Sequence, residues 1–281
     1  MTHSAILGTG SYVPEKVLTN AELEKMVDTS DQWIRERTGI RERRVAGPEV
    51  AASDLGLPAA KNALEAAGMD PKEIDLIICT TFTADTMCPA AACWLQAGIG
   101  AHQAAAFDLN AACSGFIYGL QAADAYVRSG LMRNVLLVSV EVMTRVIDWS
   151  DRGTCVLWGD GAGAVVLSAA QDGRKGVIDS LIRSDGRDAE LILIAGSGSR
   201  LSPITPQAVQ NHEHTLKMKG QETFKTAVRC FTEVCVETLD RNGMKLSDVD
   251  VFIPHQANLR IIEAVAKRLQ LSMDRIIVTV D

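Results

Sequence analysis

Long apolar runs are missing from this 281-residue chain. The longest, such as Asn134-VLLVSVEVM, are far too short to cross a bilayer, which excludes a helical membrane protein. Dense basic stretches are missing as well, and the net charge is −7, which excludes nucleic acid as the main partner. No CxxC occurs: Cys88 and Cys93, like Cys230 and Cys235, are five positions apart. His212 and His214 neighbour each other in a polar stretch with no second pair at zinc spacing, so neither metal nor cofactor is expected. The opening MTHSAILGTGSYVP lacks the basic leader and apolar core of a secretory signal. With seven cysteines, an odd number, a reduced and cytoplasmic protein is expected.

What remains is 47% hydrophobic and 22% charged, ordinary for a globular protein with a sizeable core. An internal repeat organises it. Residues 63–78 read ALEAAGMDPKEIDLII and residues 238–253 read TLDRNGMKLSDVDVFI. Leu64, Gly68, Met69, Asp75 and Ile78 match Leu239, Gly243, Met244, Asp250 and Ile253 without a gap. Each copy reads as a helix end, a glycine stop, a polar turn and a buried strand.

After the first copy the pattern predicts a helix near Ala90–Ala97, a strand near Ala104–Leu109 and a helix from Ser114 to Arg128. Strands at 134–141 and 162–168 close that half. After the second copy come a helix at Asn258–Leu269 and a strand at Arg275–Val280. The alternation predicts an α/β fold with mostly parallel sheets, in two similar halves at 1–170 and 171–281. The second half lacks its last helix and strands on this count, so the chain is expected to be incomplete at its C-terminal end. Gln171-DGRKG reads as the polar turn between the halves, and 184–214 as a long loop region.

Two glycine motifs are decoys. Gly8-Thr-Gly10 follows a strand-like start, but Val13 stands where a dinucleotide fingerprint needs its third glycine. Gly159-DGAGA has no following GK[ST] and reads as a tight turn with close backbone packing. Trp158 beside it fills the core or walls a pocket.

The chemistry concentrates in Asp108-LNAACSGFIYGL. Helical periodicity begins after Cys113, with Phe116, Ile117, Leu120, Ala123 and Val127 along one face. That puts Cys113 at a helix N-terminus, where a thiol of pKa about 8.5 is shifted toward thiolate. A shift of two units needs about 2.7 kcal/mol, and a helix terminus supplies typically about 0.3–1. An imidazole is needed to close the gap. Pro254-His-Gln-Ala-Asn258 follows directly on the strand of the second repeat, and ligands of open α/β sheets collect at strand carboxyl ends. The repeat sets His255 and Cys113 at the ends of strands from opposite halves, so that the two are expected to face one another.

At these motifs the chain resembles the β-ketoacyl-acyl-carrier-protein synthase III family, the initiating condensing enzymes of type II fatty-acid synthesis. The resemblance runs from residue 1 to 281 and rests on Ile6-LGTGSYVPE, Asp28-TSDQWIRERTGIRER, Cys113-SGFIYGL, Asp151-RGT, Gly159-DGAGA and His255-QANLRII. It implies a thiolase-like fold with a layered α-β-α-β-α core. It further implies an acyltransferase that takes an acyl group from acyl-CoA onto Cys113 and condenses it with a malonyl group on acyl carrier protein. His255 matches the family histidine that hydrogen-bonds the malonyl thioester oxygen during decarboxylation. The family asparagine that shares this work, and a glycine-rich terminal segment, would lie beyond Asp281. A protein truly ending there is expected to be unstable and inactive in condensation.

By the same resemblance Thr29, Trp33, Arg37 and Arg152 grip the CoA adenine and phosphates. Without it, this stretch reads as a charged helix face with one core tryptophan. Gly220, Phe224 and Asn258 resemble residues around the pantetheine arm. Cys88 stands where many relatives carry a bulky Phe that reaches the acyl pocket of the partner in a homodimer, implying a roomier pocket. Docking of an acidic carrier needs a basic patch. Arg260 and Lys267 share a helix face with Arg268 beside them, and Lys225 adds to it, although the same pattern fits a solvated face. The rivals are a secondary-metabolite ketosynthase or acyltransferase, a non-catalytic partner subunit, and a cysteine hydrolase.

Overall fold

A computed structural model describes residues 3–170, 176–201 and 203–281. In chain order the first elements are strands β1 (Ser4–Tyr12) and β2 (Val17–Thr19), helices α1 (Asn20–Leu23) and α2 (Asp31–Thr38), strand β3 (Glu42–Arg44) and helix α3 (Ala52–Ala67). There follow β4 (Leu76–Thr80), α4 (Ala91–Ile99), β5 (Ala105–Leu109), α5 (Gly115–Arg128), β6 (Asn134–Val142) and β7 (Asp160–Ala169). The remainder comprises β8 (Ile192–Leu193), α6 (Pro206–Gln210), β9 (Lys217–Met218), α7 (Gly220–Arg241) and α8 (Leu259–Leu269). No helix among the described residues is long and apolar enough to cross a membrane.

The chain forms two compact units. The first holds the chain up to Lys16, Arg44–Met143 and Asp160–Ile182; the second holds Val17–Arg43, Thr144–Gly159 and Arg183–Asp281. This partition is not the simple cut after residue 170 that the repeat suggests, because 17–43 and 144–159 pack with the later chain. The polar turn expected at 171–176 lies, but for Gly176, outside the described residues.

In the first unit five strands form one sheet in the order β1-β7-β6-β4-β5. Only the β4–β5 and β4–β6 pairings are parallel; β7 runs antiparallel to both β6 and β1. The sheet is therefore mixed rather than mostly parallel. Gly161, expected in a turn, lies inside β7, which starts two residues earlier than the strand expected at 162–168. The two glycines of the GTG motif have a packing reason. A side chain at Gly8 would meet the Ala63 carbonyl oxygen at 2.3 Å, and one at Gly10 the Ala59 carbonyl oxygen at 2.2 Å. Helix α3 lies directly on β1, with Ala59, Ala60 and Ala63 fully buried. Small residues on both surfaces let backbone meet backbone.

Leu76, Ile77 and Ile78 of β4 are almost completely buried, with Leu136 and Leu137 of β6 beside them. Burying one such side chain contributes about 1.5–3 kcal/mol, so this strand pair anchors the unit. Helix α5 packs on the other face of the sheet through Gly115, Gly119, Ala123 and Val127. Phe116 and Ile117, expected on that face, are exposed. The reason is distance: a side chain at Gly119 would lie 2.5 Å from the Leu137 side chain, so only glycine lets the helix settle this low.

The second unit repeats the helix–turn joint faithfully. Gly68 and Gly243 both have φ of 62°. Met69 N–H donates to Leu64 O and Met244 N–H to Leu239 O, both at 3.0 Å. Glu73 accepts from Asp70 N–H, as Asp248 does from Lys245 N–H. The strands that should follow are reduced to one parallel bridge, Phe252 to Ile276. Val251 and Ile253 are exposed here, whereas their first-half counterparts Leu76 and Ile78 are buried. Two backbone hydrogen bonds, Phe252 N–H to Arg275 O at 2.8 Å and Ile277 N–H to Phe252 O at 3.0 Å, join these extended segments.

Candidate active site

Cys113 stands just past the carboxyl end of β5, in a 3-10 turn of Ala112–Ser114 that leads into α5. Ala112 before it has φ of +45°, a left-handed conformation that costs a non-glycine residue about 1–2 kcal/mol. The chain accepts this strain at the residue that turns the cysteine off the strand. Behind the turn, Thr80 donates its hydroxyl to Ser139 at 2.7 Å, and a side chain at Gly115 would lie 3.0 Å from Thr80 Cβ. The seat of the cysteine is thus braced on the ends of β4 and β6.

The thiol pKa of Cys113 lies above its ordinary value. Cys113 keeps solvent access, yet the protein crowded around its sulfur pushes the thiol up. The Glu141 carboxylate adds to this, and a backbone hydrogen bond only partly offsets it. The raised thiol runs against the expected shift toward thiolate, burial being its largest cause.

Glu141 is the residue that motif reading missed. It sits near the end of β6, the one acid inside the apolar run VLLVSVEV. Its Oε1 accepts the Phe82 N–H at 3.1 Å; its Oε2 accepts the Thr83 N–H and the Thr81 hydroxyl, each at 3.2 Å. The Thr83 hydroxyl completes the set at 2.5 Å and itself accepts the Val142 N–H at 2.9 Å. Burial holds the Glu141 pKa above the ordinary carboxylate value, and these four donors offset it only in part. A lone acid amid β-branched and aliphatic residues was the available signal.

His255, in the second unit, lies between the bridge residue Phe252 and α8. Its neighbour Gln256 fixes the loop: Nε2 donates to Pro254 O and Ile277 O at 2.9 and 3.0 Å, and Oε1 accepts the Thr279 N–H at 2.7 Å. His255 keeps solvent exposure, yet the protein packed around its ring lowers the imidazole pKa, which favours the neutral ring with one N–H to donate.

Also in the second unit, Trp33 on α2 and Arg152 come together: the guanidinium lies 4.8 Å from the indole centroid. Arg152 also donates to the Asp28 carbonyl oxygen at 2.8 Å. The Thr29 hydroxyl is buried without a partner, while Arg37 is exposed. Asn258 caps α8, its Oδ1 accepting the Arg260 N–H at 2.9 Å. Gly220 opens α7, and Phe224 receives the Arg260 guanidinium over its ring at 5.8 Å. Phe224, Lys225, Val228, Ala264, Lys267 and Arg268 line a hollow of about 500 Å³ between α7 and α8. Its floor is apolar and its rim cationic. Cys88 is exposed in the first unit.

Sequence and structure comparisons decide the family. The 3-oxoacyl-[acyl-carrier-protein (ACP)] synthase III pattern matches residues 107–186, and that family's C-terminal pattern matches residues 239–281. The chain is 51% identical over 278 residues to the beta-ketoacyl-[acyl-carrier-protein] synthase III of Roseiflexus castenholzii, covering 99% of this chain and 84% of that one. The chain belongs to the beta-ketoacyl-[acyl-carrier-protein] synthase III family.

The crystal structure of the Thermus thermophilus family member superposes with a TM-score of 0.91 at 41% identity, over 99% of this chain and 84% of that one. A priming beta-ketosynthase from a polyketide biosynthetic pathway superposes with a TM-score of 0.89 at 37% identity, covering 99% and 81%. The fold is thus the thiolase-like α/β fold of these synthases.

Proposed function

We propose that this synthase-family member condenses an acyl-CoA primer with malonyl-acyl-carrier protein and so initiates type II fatty-acid synthesis. The observation that carries the reading is 51% identity to a named synthase over 99% of the chain, with Cys113 just past β5 and His255 past the bridge residue Phe252. In this reading the Cys113 sulfur attacks the thioester carbonyl of acyl-CoA. The acyl–sulfur bond to CoA breaks, and CoA leaves as its thiol with the cysteine proton. The malonyl thioester then loses CO2, and the electrons of the broken C–C bond pass to an enolate whose oxygen accepts a hydrogen bond from neutral His255. The enolate carbon attacks the acyl-cysteine, forms the new C–C bond and releases Cys113. A thioester suits a cysteine because no hydroxyl has to be activated.

Arg152 and Trp33 supply the flat cationic and aromatic faces that suit the CoA nucleotide, with Thr29 and Arg37 on the same stretch. Gly220, Phe224 and Asn258 belong to the pantetheine path. The cationic rim of Lys225, Lys267 and Arg268, with Arg260 nearby, suits an acidic carrier protein. We read the protein as cytoplasmic, without a cofactor, and as a homodimer. Met87 and Trp94, 94% and 49% exposed beside Cys88, support a partner there. Similarity to a polyketide priming synthase favours secondary metabolism as the second reading. Incubating the protein as encoded with acyl-CoA and malonyl carrier protein tests the proposal. A β-ketoacyl carrier product supports it, and Cys113 that never becomes acylated overturns it.

A further inference from the structure

Glu141 belongs to none of the roles above, although its carboxylate is among the most heavily hydrogen-bonded groups in the first unit. Four donors converge on it, and two of them are backbone N–H groups, one on each oxygen. A backbone N–H cannot turn away, so both oxygens serve as acceptors, the arrangement an ionised carboxylate satisfies best. The segment so gripped, residues 81–83, continues directly from Thr80. Thr80 in turn abuts Gly115 and binds Ser139, two residues before Glu141. The acid, the β4 end and the turn carrying Cys113 therefore form one contiguous structure.

We propose that Glu141 is a positioning residue for Cys113, tying the 81–83 segment to β6 and holding a fixed negative charge beside the nucleophile's seat. The inference rests on Cys113 being the nucleophile. The other acids of this region are occupied elsewhere. Asp108 of β5 accepts from the Ala91 and Ala92 N–H groups, and Asp85 accepts from Ser53. Cys79 of β4 is a buried thiol pushed far up by burial. The first two turns of α5 carry no charged residue, Tyr118 being their one titratable group. Among these carboxylates Glu141 is the one whose charge, after burial, raises the Cys113 thiol. An anion here keeps the empty site's cysteine protonated, protecting it from adventitious alkylation and oxidation. When the thiolate forms, its higher basicity makes it the stronger nucleophile.

The test is the pH dependence of Cys113 alkylation by iodoacetamide, followed by peptide mass mapping so that the other six cysteines are separated. Glu141→Gln keeps the shape and removes the charge; Glu141→Ala removes both; Glu141→Asp keeps the charge and shortens the reach. The alkylation midpoint is expected to move acidward by about half a unit to one unit in Gln and Ala. In Asp it stays near the parent value, with a slower rate at every pH because the 81–83 segment is loosened. If Gln or Ala does not fold, the other decides. An unchanged midpoint in a folded charge-removed variant, or an equal acidward shift in Asp, overturns the proposal. A merely structural role lowers thermal stability without moving the midpoint. Acylation by acyl-CoA, measured on the same samples, reports separately whether Cys113 is the nucleophile at all.

Discussion

The guanidinium carbon of Arg152 lies 4.8 Å from the centroid of the Trp33 indole, held there by the Asp28 carbonyl oxygen at 2.8 Å. A planar base inserted between them needs about 3.5 Å on each side, or about 7 Å in all. The pair is therefore closed to a sandwiched adenine and has to part, or to offer its outer face, before a nucleotide stacks.

This gives the first prediction. Arg152→Ala removes a stacking cation worth about 0.5–1 kcal/mol at an exposed site, plus the phosphate contact proposed for it. The KM for acyl-CoA rises about three- to tenfold while kcat holds. With an acyl-pantetheine substrate, which lacks the nucleotide, variant and parent acylate at equal rates. A loss with both substrates would place Arg152 elsewhere in the mechanism.

Packing supplies the second. Gly119→Ala places a methyl group 2.5 Å from Leu137 and 2.9 Å from Thr80, and forcing α5 off the sheet costs about 1–3 kcal/mol. Gly163→Ala meets nothing within 4 Å and leaves the unfolding midpoint within about a degree or two. Thermal denaturation of the two variants compares them directly.

The third concerns pH. Burial tends to raise the Asp148 pKa, but the Ser150 hydroxyl and N–H and the Lys217 ammonium outweigh it and hold it at about 2. Lys217 and His212 both approach Asp148 Oδ2 at 3.1 Å. Because the folded pKa is depressed, the stabilisation is complete above the unfolded carboxyl pKa and is lost as pH falls from about 4 through about 2. Asp148→Asn is expected to lower stability by about 1–2 kcal/mol at neutral pH and to converge with the parent near pH 2. Urea titrations at pH 7, 4 and 2.5 give the comparison.

Much of this was legible in the chain itself, and the particular residues say why. Gly68 and Gly243 announce equivalent helix stops because only residues tolerant of positive φ end helices this way, and both adopt 62°. Cys113 and His255 were legible because each interrupts a strand-to-helix pattern with a chemical group. The charge state of Cys113 was not legible. Burial of the sulfur and the Glu141 carboxylate, neither visible in the local pattern, raise its thiol pKa. Phe116 and Ile117 were misplaced because periodicity weighs apolar size, whereas α5 buries its glycines. Glu141 was hidden because its partners, Thr81 to Thr83, are sixty residues away in sequence.

The fourth prediction concerns the acyl chain. Cys88 is small and exposed, which predicts a pocket open to starters longer than acetyl. Cys88→Phe is expected to cut Cys113 acylation by hexanoyl-CoA at least tenfold while sparing acetyl-CoA. An unchanged chain-length profile removes Cys88 from the pocket.

Carrier docking is separable from these steps. Arg260→Glu is expected to raise the KM for malonyl-carrier protein about tenfold, increasingly so at low salt. Acylation of Cys113 by acyl-CoA stays unchanged. Equal losses in both steps would count against docking on α8.

The most direct measurement is the intact mass of the protein after brief exposure to a short acyl-CoA, with the modified peptide sequenced. One acyl group on Cys113, absent from Cys113→Ala and still present in His255→Ala, is the predicted result. A protein that gains no acyl mass, or gains it on another residue while Cys113 stays free, contradicts the account.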